Sequence, residues 1–320
     1  FVLDKVLQDG VFFAANKLYG FTFKPRTDIP VYQPDMHVWE VFDADGKSMA
    51  LFYTDYFARP NKNGGAWCNY INVPSGLMHR KPLIVNVANF TRPAPGEPAL
   101  ISFDDVVTMF HEFGHAIHAL VSVQTYPTEN GFNLPTDVIE FPSQFNEHWA
   151  LDPAVMASYA RHYKTGAAMP QALVDKIKAT KTYGQGYAFT EILSASLLDL
   201  DWHSLPADAK KQDPDTFEAA ALKQDGTDLA EVPPRYRSPY FQHIWNNGYE
   251  ANYYSYTWGE ILDDDAFEWF TEHGGLTREN GQRFRDLMLG PGFTADPMKL
   301  YRNFRGRDPS VEALKRNRGL

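Results

Sequence analysis

The chain contains one cysteine, Cys68, and can therefore form no intrachain disulfide. That shortage is compatible with a reducing compartment, so a cytoplasmic location is the expectation, with a periplasmic one as the alternative. No uninterrupted apolar run approaches the roughly 20 residues that span a bilayer, and no membrane partner is expected. Positive charge is short as well: 30 Lys and Arg against 40 Asp and Glu leave a formal net charge of -10. That balance argues against a nucleic-acid partner or an anionic membrane surface. The basic cluster from Arg302 to Arg318 is interrupted by Asp308 and Glu312 and reads as a solvated tail or helix face. Phe-Val-Leu-Asp-Lys, the N-terminus, has neither an initiator Met nor the apolar core of a signal peptide. The chain is thus expected to begin inside a longer protein or after processing.

What is present is an ordinary globular composition, 44% hydrophobic and 22% charged over 320 residues, enough for one large domain or two modest ones. Residues 1–20 predict an amphipathic helix ended by Gly20, with Val2, Val6, Leu7, Phe12, Phe13, Leu18 and Tyr19 at helical spacing. Between about 30 and 90 the texture turns to β-branched and aromatic runs. Residues 38–42 and 49–53 flank Asp45-Gly46 as a hairpin, and 83–88 is a further strand. Helices are predicted near 103–121, 137–162, 170–182, 187–204, 214–222, 247–272 and 277–289. The fold class is mainly α with a small β-sheet.

One segment carries chemistry. His111-Glu112-Phe113-Gly114-His115 is an H-E-x-x-H inside a predicted helix, with Ser102 and Asp105 as a capping box and Val106, Val107 and Phe110 as an apolar face. Residues four apart lie one turn apart on the same side, so His111 and His115 can direct their imidazoles at one ion. Glu112, at the edge of that face, can take a proton from a metal-activated water. Two core histidines paired by chance would give the same five letters, but the cap and the apolar flank favour the metal reading. A catalytic zinc needs a third protein ligand and one open position. The third histidine of the extended motif is missing, because Val121 stands where it belongs. A later carboxylate is then needed, and spacing leaves Glu129, Glu140 and Glu147 open. Glu129 lies in a turn-like stretch that reads as exposed. Glu140 and Glu147 lie seven apart on one predicted helix face, with Thr136 or Asp137 as its cap, and Glu147 could instead orient a ligating histidine. His118 reads as packing or as a support to the site, and His148, beside Glu147, could play such a part as well.

His111-Glu112-Phe113-Gly114-His115 followed by Glu140-Phe141-Pro142-Ser143-Gln144 resembles the thimet oligopeptidase and neurolysin family of zinc peptidases, and within it the bacterial dipeptidyl carboxypeptidases. Glu140 stands 29 positions after His111 (140 minus 111), as the family spacing requires. The stretch from His243 to Tyr256, with Gly248, Tyr249 and Tyr253, is similar to the family loop that closes over bound peptide. Gly64-Gly65-Ala66-Trp67 and the ending Arg318-Gly319-Leu320 extend the resemblance over the whole chain.

The resemblance implies a zincin-like (gluzincin) metallopeptidase catalytic domain over 1–320, from which the family's N-terminal helical half is absent and to which that half is a possible partner. It implies one Zn2+ per chain on His111, His115 and Glu140, with Glu112 as base, Tyr256 as oxyanion donor and His243 as supporting donor. Tyr249, Tyr253 and Gly248 would contact an oligopeptide. In a chain with 17 Tyr, plain aromatic packing is the competing reading for each tyrosine. A strand beside the active-site helix binds extended substrate in many zinc peptidases, and 87–89 around Ala88 is expected to do so here. The loop carries Asn246 and Asn247 where glycines are usual, which predicts a stiffer segment. The expected activity is release of C-terminal dipeptides. Internal cleavage of oligopeptides, or a zinc- and peptide-binding fragment without catalysis, are the alternatives.

Overall fold

In the computed structural model, which describes residues 1–320, the chain is mostly helical around one five-stranded sheet. The opening helix runs from Leu3–Lys5 through a π turn, Val6–Val11, to Phe12–Tyr19, and ends on Gly20 at φ 80°. The strands are β1 (Thr22–Pro25), β2 (His37–Phe42), β3 (Ser48–Phe57), β4 (Trp67–Asn72) and β5 (Leu83–Phe90), in the order β1-β2-β3-β5-β4. All pairs are antiparallel except β3 with β5. Asp43 N–H to the Lys47 carbonyl at 2.9 Å, with Gly46 at φ 79°, closes the expected hairpin between β2 and β3. β1 and β4 are additions to the sequence reading: β1 has only four residues, and Asn69 and Asn72 interrupt the apolar run of β4.

The strand carrying Ala88 is not an edge. β5 is paired with β3 on one side and β4 on the other, and Ala88 is buried with its carbonyl accepting from Lys62 Nζ at 2.5 Å. Burial of Ile84, Val85, Val87 and Ala88 in succession is the pattern of an interior strand covered on both faces. This corrects the expectation that Ala88 meets a substrate backbone. The free edge on that side of the sheet belongs to β4.

The Phe103–Val121 helix starts on a full capping box: Asp105 N–H donates to Ser102 Oγ at 3.1 Å, and Ser102 N–H to Asp105 Oδ2 at 2.9 Å. Phe110 and Phe113 are wholly buried in the main core, and Phe113 meets Phe52 of β3 edge-on at 5.3 Å. On its other side the helix touches Phe141–Glu147 at Gly114, where an added Cβ would lie 2.6 Å from the Pro142 carbonyl oxygen. Only glycine permits that approach.

Two long predicted helices are broken. The segment 137–162 divides into Thr136–Ile139, Phe141–Glu147, a 3-10 turn His148–Leu151 and Pro153–Tyr159. Pro142 and Pro153 each stand in a first turn, where their missing N–H costs nothing. Neither Thr136 nor Asp137 caps by side chain; Pro135 occupies the N-cap. The helix expected from 247 begins at Ser255, because Gly248 at φ 85° and Ala251 at φ 56° turn the preceding chain out of helical geometry. The basic cluster at the C-terminus lies on two helices, Pro297–Arg305 and Val311–Arg318, and the loop joining them. Its charges pair with the acidic face of Ser255–Glu272: Arg316 Nε to Glu268 at 2.8 Å, Arg305 to Glu272 at 3.0 Å, and Arg318 to Glu260 at 2.6 Å. It is therefore docked along that helix and is not a free tail, while Arg302, Arg307, Lys315 and Arg316 stay exposed, the first and last two on the solvated helix face that was the other expectation. No helix is long and apolar enough to cross a membrane.

Candidate metal centre and its tyrosine loop

Helical geometry brings His111 and His115 one turn apart, with ring centroids 5.1 Å from each other. Both present Nε2 to Glu140 Oε2, at 3.2 and 3.4 Å respectively. Glu140 sits at the junction between Thr136–Ile139 and Phe141–Glu147 and is 2% exposed. Ser143 Oγ donates to its Oε2 at 3.1 Å and the Tyr249 hydroxyl to its Oε1. Two imidazoles and one carboxylate, all within reach of a single point, form a group that could hold a metal. Glu129, in a 3-10 turn at Pro127–Glu129, lies outside this group.

Glu147 Oε1 lies 2.7 Å from His111 Nδ1, so Nδ1 is taken by that carboxylate and Nε2 is the nitrogen turned toward Glu140 and available to an ion. Burial opposes charge on His111, and the carboxylates of Glu140 and Glu147 outweigh it, raising the imidazole well above its ordinary value. Burial likewise opposes charge on Glu140, yet the two histidines hold its carboxyl well below the usual range. The donor set is thus charge-complementary before any ion enters.

Glu112 is 5% exposed, and its Oε2 has no partner. Burial pushes this carboxyl above the ordinary range against the pull of His111 and His115. An unpartnered buried carboxylate oxygen beside a metal-ligand cluster is costly unless something it binds in function compensates it. Two amides, Asn86 on β5 and Asn146 on Phe141–Glu147, hold the backbone of the same turn: they donate to the Glu112 carbonyl at 2.8 Å and the Phe110 carbonyl at 2.6 Å. Sequence reading missed both, since neither falls within a recognisable motif.

His118 lies one turn beyond His115 and outside the ligand group. It is 1% exposed, neither ring nitrogen has a partner, and burial lowers it to about 3. It packs against Gly131, where an added Cβ would lie 2.6 Å from Nε2. His148 also stands apart: its Nε2 lies 3.2 Å from Asp263 and 3.4 Å from Asp264, and its ring stacks on Phe267 at 4.2 Å.

The loop residues converge from the far side. His243 lies 5.8 Å from Tyr249 and 6.2 Å from Tyr256 by ring centroids, and Tyr249 stacks on Tyr256 at 5.4 Å. Burial, then Glu140, raises the Tyr256 phenol well above its ordinary value, so it stays a hydrogen-bond donor at any ordinary pH. Burial lowers His243, whose Nδ1 has no partner. Gln144 Nε2 donates to the Tyr256 carbonyl at 2.9 Å, tying the loop to the helix that Glu140 introduces. Gly248 is exposed at the tip. Tyr253 departs from expectation: it is 2% exposed, packed against Phe241 at 4.7 Å, and anchors the loop in the core instead of facing a peptide. Tyr249, too, is committed to Glu140 in this structure.

Comparison with known proteins agrees with this geometry. A model of peptidase family M3 matches residues 1–320. Dipeptidyl carboxypeptidase of Escherichia coli (strain K12) is 51% identical over 320 residues, covering 100% of this chain and 47% of the relative. The protein of the same name from Salmonella typhimurium (strain LT2) is also 51% identical, with the same coverage. Oligopeptidase A of Escherichia coli (strain K12) is 36% identical over 98% of this chain and 46% of its own length. The chain therefore spans a little under half the length of these relatives.

Proposed function

The chain belongs to peptidase family M3, and on that premise we propose that residues 1–320 form a zincin-like catalytic domain that releases dipeptides from the C-termini of oligopeptides. The observation that carries this reading is Glu112: a buried carboxylate oxygen without a partner, one residue from His111, beside two imidazoles and a carboxylate that converge on one point. His111, His115 and Glu140 would hold one zinc ion. When bound, zinc supplies Lewis-acid polarisation of the scissile carbonyl and acidifies water toward a pKa of about 7.

The chain's own groups then carry the protons and the charge. Glu112 takes the proton from the attacking water and delivers it to the departing amine, a role suited to a carboxyl raised by burial. Tyr256, held protonated, donates to the oxyanion that develops on the carbonyl oxygen, and His243 is the second donor. Glu147 fixes the His111 tautomer. An extended peptide would find its free main-chain edge on β4, at Trp67–Asn72. A peptide complex without main-chain contact to that strand would remove β4 from the account.

Release of dipeptides is favoured over internal cleavage by the 51% identity to proteins named dipeptidyl carboxypeptidase, against 36% to oligopeptidase A. The test is mass-resolved cleavage of one short peptide as free acid and as C-terminal amide, with and without chelator. Chelator-sensitive loss of dipeptides from the free acid alone is expected. Internal cuts in both peptides would make the activity endo-acting. No cleavage with one zinc bound would mean that catalysis needs more than these residues.

A further inference from the structure

Asp199, on the Gln185–His203 helix, is wholly buried, and no reading of the site uses it. Its Oδ1 accepts the Ala251 backbone N–H at 3.0 Å and its Oδ2 the Tyr253 backbone N–H at 2.9 Å. His203 Nδ1 lies 2.8 Å from Oδ1 on the other side. A carboxylate removed from water is expensive unless it is hydrogen-bonded; the His203 Nδ1–H is directed to the Asp199 backbone carbonyl at 2.9 Å, and the carboxylate's two backbone donors both come from the tyrosine loop, more than 50 residues along the chain. The bonds fall on the one part of that loop that is conformationally demanding: Ala251 adopts φ 56°, a left-handed backbone that a residue with a Cβ adopts only where its surroundings impose it. Two oxygens gripping two amides, two residues apart, fix both the position and the rotation of the turn.

That turn lies between Tyr249, bonded to Glu140, and Tyr256, stacked on Tyr249. We infer that Asp199 is a positioning residue of the active site: through the Ala251 and Tyr253 amides it holds the loop so that Tyr256 presents its hydroxyl on the Glu140 side of the cleft. The inference rests on the proposed peptidase reading for its catalytic consequence and on the loop geometry for the rest. An asparagine at 199 keeps the shape but has one acceptor oxygen, and its NH2 must turn toward one of the two N–H donors. An oxyanion donor displaced by about 1 Å can cost on the order of a hundredfold in rate.

The experiment combines steady-state kinetics on the zinc-loaded chain with amide hydrogen exchange, for wild type, Asp199→Asn, Tyr256→Phe and the double variant. Asp199→Asn is expected to speed exchange at the Ala251 and Tyr253 amides about tenfold. It is also expected to lower kcat about ten- to a hundredfold with KM changed less than about threefold. In the Tyr256→Phe background the same change is expected to cost less than about threefold, because the group being positioned is already gone. Unchanged exchange at the two amides, or an equal loss of kcat in both backgrounds, would overturn the inference. If Asp199→Asn does not fold, His203→Ala removes the imidazole lying 2.8 Å from the same carboxylate and is expected to speed exchange at the Ala251 and Tyr253 amides and to lower kcat about threefold, only while Tyr256 is present; no effect on either overturns it as well. Absence of chelator-sensitive cleavage by the wild type would strike the functional reading instead, and the exchange arm, which needs no turnover, would still decide whether Asp199 holds the loop.

Discussion

Glu147 Oε1 and His111 Nδ1 lie 2.7 Å apart, and this pair decides which imidazole nitrogen is left to face Glu140. A ligating histidine whose second nitrogen is tied to a carboxylate keeps its tautomer and ring orientation. Glu147→Ala is expected to weaken zinc binding about 10- to 100-fold, read by competition with a chelator of known affinity. Unchanged affinity would show that His111 is oriented by packing alone.

Tyr256 contributes through its hydroxyl, so removing that one atom isolates its part. Tyr256→Phe is expected to lower kcat by about 10²- to 10³-fold with KM nearly unchanged. A variant as active as wild type would remove Tyr256 from the chemistry and leave it as a stacking partner of Tyr249.

Gly114 is where the two ligand-bearing segments touch. A Cβ there would lie 2.6 Å from the Pro142 carbonyl oxygen and 2.7 Å from Ser143 Cα, backbone that cannot move without carrying Glu140 with it. Gly114→Ala is expected to cost about 1–3 kcal/mol of stability by overpacking and to weaken zinc binding as well. Denaturant melts with metal stoichiometry on the same samples check both effects. Full stability with wild-type zinc affinity would contradict the close approach.

Asp264 gives the fold a pH dependence of known sign. Burial first, and then neighbouring Asp263, pushes its carboxyl up to about 7, against the pull of His148. The folded chain therefore keeps a proton that the unfolded chain releases in the ordinary carboxyl range. Its contribution favours the fold at low pH and is lost as pH rises toward about 7. Asp264→Asn is expected to gain stability over wild type by on the order of 1–3 kcal/mol more at pH 8 than at pH 5. A gap that stays constant between the two pH values would contradict the assignment.

The parts of the site legible in the sequence are those whose geometry is local. His111, Glu112 and His115 follow from helical spacing and a cap, both contained within 14 residues (102 to 115). Glu140 needed the family resemblance, because a ligand 29 positions away shares its spacing credentials with Glu129 and Glu147. Ala88 was misplaced because a short apolar run does not say whether one neighbouring strand or two cover it; β4, which makes β5 interior, carries Asn69 and Asn72 and drew no notice. The break at Glu140 was hidden for a related reason: apolar periodicity continues on both sides of Pro142, and a proline in a first turn resembles one inside a helix until the backbone is seen. Tyr253 illustrates the limit of motif reading, since it belongs to the loop pattern yet packs in the core. Asp199 left no local trace at all, lying between Leu198 and Leu200 with its loop partners on a distant segment.

Glu112 as the base that activates water at a zinc ion held by its neighbours is tested by one paired measurement: zinc content and kcat on a free-acid peptide for wild type and Glu112→Gln. The substitution is isosteric and leaves His111, His115 and Glu140 untouched, so both proteins are expected to bind one zinc per chain. The variant is expected to lose about 10²- to 10⁴-fold in kcat. A Glu112→Gln protein that binds zinc and cleaves at the wild-type rate would contradict the account.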